Sequence, residues 1–129
     1  MTTHIKALTY APKIDGVRSG SIRQTIRPVG RRSVREGDHI LFHSWSGKPY
    51  RSAWSWRMVV HVLSVRDVWI VRDGIVFPLM DCAMPWSHPY MAAVARMDGI
   101  EPPTGEALGA YLNARYDFSV PRAFQIINW

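Results

Sequence analysis

The chain has 129 residues, 47% of them apolar and six of them Trp, with a formal charge of +6. This fits one domain over residues 1–129 with a real core, and it excludes a disordered chain. No apolar run approaches the roughly 20 residues of a membrane helix. The first residues lack the apolar stretch of a secretory leader, and the single Cys82 permits no intrachain disulfide, so a cytoplasmic protein with no membrane partner is expected.

Taken in chain order, Ile5 to Thr9 reads as a short strand. Pro12 suits the first turn of a helix and Gly20 its end, with Ile14 and Val17 facing the core. Ser21 to Arg27 alternates polar and apolar residues and stops at Pro28, and Gly30 to Arg35 reads as an exposed basic loop. Gly37-Asp38 is a turn leading into a strand from His39 to His43. Ser44 to Arg51 is a loop by its Ser, Gly and Pro content, and Trp54 to Val65 is one long β-type segment. Asp73-Gly74 between two apolar runs predicts a hairpin. Ser87 is the expected cap of a helix over His88 to Met97, closed by Gly99. Thr104 caps a second helix with a buried stripe of Leu108, Tyr111 and Leu112, and Ala123 to Trp129 is a closing strand. The order predicts an α+β fold, with strands curling into a small barrel.

The basic residues are mostly Arg, whose planar fork suits phosphate and stacks on bases. Arg18, Arg23, Arg27, Arg31, Arg32 and Arg35 fall within eighteen residues, opposed nearby only by Glu36 and Asp38. Such a concentration implies a basic face for an anionic partner, RNA or single-stranded nucleic acid foremost and an acidic protein partner next. A metal site and a cofactor site are not expected. His39 and His43, on one strand face, stand about 13 Å apart at 3.3 Å per residue, which is too far to share an ion. No phosphate-binding glycine loop or nucleophile elbow occurs, and Cys82 reads as a buried structural thiol.

The segment Ser19-Gly20-Ser21-Ile22-Arg23-Gln24-Thr25-Ile26-Arg27 resembles the signature of the ASCH family, G-x-K-x-x-T-x-R, within the PUA-like superfamily. Gly20, Thr25 and Arg27 match it. Gly37-Asp38 supplies the Gly-Asp block that follows, and Met97-Asp98-Gly99-Ile100 resembles a later carboxylate-glycine step. The resemblance implies a small PUA-like β-barrel of about five or six strands with flanking helices, with the Ile5 and Phe124 strands in one sheet system. It also implies a cleft that binds RNA. Arg23, Thr25 and Arg27 would line that cleft, Asp98 would lie opposite, and Arg31, Arg32 and Trp45 would add phosphate contacts and a stacking ring.

Some relatives are amidohydrolases that use Lys, Thr and Glu on N4-acetylcytidine. Thr25 and Asp98 match the last two and are the catalytic pair if the chain is an enzyme, but Ile22 stands at the Lys position. A nucleophile needs a base beside it, and Arg23 stays protonated, so on sequence alone little or no hydrolysis is expected unless Lys6 or Lys13 reaches the cleft. Structural roles compete with each assignment: Gly20 as a helix cap, Thr25 in a turn, and Arg27 paired with Asp38 or Asp98.

Overall fold

Eight strands and three helices follow one another along residues 1–129, all of which the computed structural model describes. In order they are β1 (Thr3–Ala7), α1 (Ala11–Ser19), β2 (Gln24–Pro28), β3 (His39–Trp45), β4 (Trp54–His61), β5 (Ser64–Val71), β6 (Gly74–Phe77), a 3-10 turn at Pro78–Met80, β7 (Cys82–Pro85), α2 (Pro89–Asp98), α3 (Gly105–Arg115) and β8 (Arg122–Asn128). The helix signals act as expected. Pro12 lies in the first turn of α1, and Gly20 closes it in the left-handed region at φ 83°. Thr104 accepts from Ala107 N at the start of α3. The cap of α2 is His88, whose Nδ1 accepts from Tyr90 N, in place of Ser87. With Pro89 opening the helix, the cap falls one residue later than expected.

The strands form two sheets and no closed barrel is present. One has the order β1-β3-β4, with β1 parallel to β3; the other is antiparallel, β2-β8-β5-β6-β7. The Ile5 and Phe124 strands therefore lie in different sheets, which corrects the expectation of one sheet system. Eight strands stand in place of the expected five or six: the segment from Trp54 ends at His61, the residues from Ser64 join the first arm of the Asp73-Gly74 hairpin as β5, and Cys82–Pro85 adds a short strand. The break at Val62 has a specific cause. Val62 N donates to Asp38 O and Gly37 N donates to Val62 O, so the chain is pinned to the Gly37-Asp38 turn before it crosses sheets. Leu63 N then donates to Asn128 O on the other sheet. These isolated bonds join the sheets where a barrel would need a continuous ladder.

Strand β8 divides two cores. Phe124 and Ile126 pack with β5, β6, α2 and α3, while Ile127 packs with Val17, Ile40, Phe42 and Val60 under the smaller sheet. A strand buried on both faces loses the polar alternation of a half-exposed one. Ile22 belongs to the second core. It fills a notch over Gly16 and Gly99, where a Cβ on either glycine would run into its side chain. Cys82 is half-buried on the edge strand β7, not enclosed as expected.

Asp38 anchors the N-terminus. Its carboxylate accepts from Thr2 N, Arg35 N and His4 Nε2, the last at 2.9 Å. The His4 bond foremost, with the two backbone N–H groups, lowers its pKa from 3.8 to about 2. A depressed carboxylate pKa adds stability that is present above the unfolded value and is lost as pH falls through the folded one. Between pH 4 and 2, then, the thermal midpoint of the wild type is expected to fall more steeply than that of Asp38→Asn. Equal slopes over that window would show that Asp38 is not the anchor.

Candidate active site

Two charges occupy the unfavourable ends of their helices. Lys13 lies in the first turn of α1, where the helix dipole repels a cation, and Asp98 is the last residue of α2, where it repels an anion. Each needs another reason to be there, and they supply it to one another: Lys13 Nζ donates to Asp98 Oδ2 at 2.9 Å. Both residues are at most 5% exposed. Gln24 on β2 adds its amide to the Val94 carbonyl at 3.2 Å and stands 3.5 Å from Asp98 Oδ1. Burial pushes the Lys13 pKa down and the Asp98 pKa up, each opposed by its partner's charge. Burial thus disfavours the charged form of each, and the charge of the other is what keeps the pair ionised.

Period-two geometry puts Thr25 and Arg27 of β2 on one side of the strand. Thr25 is fully buried, and its Oγ1 accepts from Arg27 Nε at 3.2 Å, so its own proton remains available for donation. Arg27 Nη2 donates to the Ala7 carbonyl at 2.7 Å. Its pairing is thus with backbone and Thr25, and neither Asp38 nor Asp98 forms an ion pair with it. Desolvation lowers even the Arg27 pKa, and burial raises that of Tyr111.

These groups surround one cavity of about 40 Å³, lined among others by Lys13, Thr25, Arg27, Asp98, Tyr111 and Arg115. At about 10–15 Å³ per water-sized centre, it admits a group of about three or four heavy atoms and leaves a whole base at the mouth. Thr25 and Asp98, seventy-three residues apart, both line this concavity. The remaining assignments separate. Arg23 is exposed, donates to the Gly20 carbonyl and faces other concavities with Trp129. Arg31 and Arg32 are exposed in the loop after β2 and do not line the cavity. Trp45 is not on a loop at the cavity rim. It ends β3, half-buried, and its ring meets His43, Tyr50 and Trp54. A single cleft built from all of these residues is therefore absent.

Sequence reasoning raised Lys13 only as a lysine within reach, and it missed Arg115. The signal for Lys13 was local: a cation at a helix start and an anion at a helix end both oppose the dipole, and each implies a buried partner. No group of three or more His, Cys, Asp or Glu is placed to hold a metal ion, and no helix is long and apolar enough to cross a membrane. Comparison with family models, curated proteins and solved structures yields no match to this chain.

Proposed function

We propose that the chain is an ASCH-type hydrolase that cleaves the amide of a small acylated nucleoside such as N4-acetylcytidine. The observation that carries this reading is the convergence of Lys13, Thr25 and Asp98 on one cavity the size of an acyl group. On this reading Lys13 of α1, which lines the cavity, takes the role of the lysine absent at Ile22. The two sheets are read, on the same resemblance, as the walls of an opened PUA-like barrel.

The Thr25 hydroxyl adds to the acyl carbon while its proton passes to the Lys13–Asp98 pair, which lines the same cavity. The amide C–N bond then breaks, and the leaving amine takes that proton. Water next adds to the Thr25 ester, and the pair again moves the proton as the free acid and the Thr25 hydroxyl are released. Arg27, fixed by Ala7, and Arg115, exposed beside the cavity, supply positive potential where the oxyanion develops.

Incubation of the purified chain with N4-acetylcytidine is expected to release cytidine with turnover. A folded protein that releases none, from this nucleoside or from other N-acylated nucleosides, would overturn the hydrolase reading and leave the pair a structural one.

A second reading, binding of RNA or single-stranded nucleic acid, is favoured by one observation. The only ion pairs are His4–Asp38 and Lys13–Asp98, so no arginine is neutralised by a carboxylate. Exposed Arg23, Arg31, Arg32 and Arg35 keep their charge for an anionic partner.

A further inference from the structure

The outer face of the smaller sheet is uncovered. Registers of β1, β3 and β4 place Ile5, Leu41 and Val59 in one row across it, and Ile5 and Val59 are 60% and 59% exposed. At the end of that face, four aromatic rings form a connected group. The His43 ring stacks on Trp54 with centroids 4.0 Å apart and planes 17° from parallel. Trp45 meets His43 edge-on at 5.0 Å and lies 5.2 Å from Tyr50. Tyr50 is 90% exposed on the β3–β4 loop and holds φ 63°, a left-handed conformation seldom adopted by a bulky residue, while Trp54 is 37% exposed. Of these rings His43 is the buried one; its Nδ1 has no hydrogen-bond partner, and desolvation lowers its pKa.

Charge identifies the occupant. From His39 to His61 the chain carries Lys48, Arg51 and Arg57, all exposed, and not one Asp or Glu. None of the three has an ion-pair partner. Strand β4 also ends its sheet, which leaves its outer edge unpaired. Exposed rings with unneutralised cations around them match bases and phosphates, because every base has a π-face and every phosphate an anionic oxygen. An acidic protein would satisfy the cations but gives no reason for the exposed, connected rings.

We propose that this end of the β1-β3-β4 sheet is a docking surface for single-stranded nucleic acid, with bases stacked on Trp45, Tyr50 and Trp54 and phosphates held by Lys48, Arg51 and Arg57. The surface names the partner contact of the nucleic-acid reading and does not depend on hydrolysis.

Anisotropy of a short labelled oligouridylate, titrated with the full chain at several salt concentrations, tests it. Trp54→Ala is expected to weaken binding roughly 5- to 150-fold at unchanged salt slope, since stacking is largely uncharged. Tyr50→Ala, too exposed to bear on folding, is expected to weaken it in the same way. The Lys48→Ala/Arg51→Ala variant is expected to flatten the log–log salt slope by about 1.4, at about 0.7 per lost phosphate contact. A Lys13→Met/Asp98→Leu variant is expected to bind as the wild type does, which separates this surface from the cavity. Three results would each overturn the proposal: absence of binding at low salt by a folded protein, binding reduced by Arg31→Ala/Arg32→Ala but untouched at Trp54 and Tyr50, or a dimer in sedimentation that Trp54→Ala dissociates.

Discussion

Replacement of Lys13 by Ala is expected to lower stability at neutral pH by about 3–5 kcal/mol, because it strands a buried carboxylate without its counter-charge. At this chain length such a loss moves the thermal midpoint by roughly 11 to 18 °C. The pH dependence has a definite sign. Asp98 already has a raised pKa, from burial, and Lys13 is the largest influence lowering it. Without Lys13 it rises further. A raised carboxylate pKa contributes stability below the unfolded value of 3.8 and loses it as pH climbs through the folded value. The variant should therefore approach the wild type at acid pH and fall behind it as pH rises. Lys13→Met/Asp98→Leu removes both charges and is expected to recover most of the loss, since an apolar pair of similar volume replaces a buried ion pair at little cost. Thermal melts of the three proteins across pH 4 to 8 check this. A Lys13→Ala midpoint that trails the wild type equally at every pH would mean that lost packing, not the uncompensated carboxylate, is the cause.

Thr25→Ala is expected to abolish turnover of N4-acetylcytidine, a fall on the order of 10³-fold or more, because the group that forms the covalent bond is gone. Thr25→Ser keeps the hydroxyl and should keep a measurable part of the rate. The fold bears a smaller effect. Arg27 Nε loses its acceptor, worth about 1–3 kcal/mol, while its second bond to the Ala7 carbonyl remains. Steady-state cytidine release, with circular dichroism as the control for folding, separates the two effects. Unchanged turnover in a folded Thr25→Ala protein would remove Thr25 from the chemistry.

The two variants probe parts of the site that differ in how they were encoded. Thr25 and Asp98 were singled out by a family resemblance carried by short local blocks, a Gly20-to-Arg27 segment and a carboxylate before a helix-closing glycine that takes φ 80°. The same local grammar placed α1 between Pro12 and Gly20, α3 after Thr104, and the hairpin at Asp73-Gly74. Caps, turns and alternation depend on a few neighbouring residues, so one sequence suffices to read them. The basic cluster was legible as charge but not as a surface. Its arginines spread over a helix, a strand and a loop, and only Arg27 reaches the cavity.

By itself, then, the sequence determined the α+β class and most of the order of elements, short of the strand at Cys82–Pro85. Tertiary structure decided which charge meets Asp98, since the 2.9 Å bond to Lys13 spans eighty-five residues and exists only because α1 packs beside the end of α2. It also decided that Ile22 enters the core, because Gly16 and Gly99 together leave room for a branched side chain there. Trp45, expected as a ring on a loop, instead ends β3 and joins an aromatic group with His43, Tyr50 and Trp54 through pairing of β3 with β4. In each case the outcome turns on which distant surfaces come into contact, and burial energies that favour such contacts are non-directional and leave no fixed spacing along the chain.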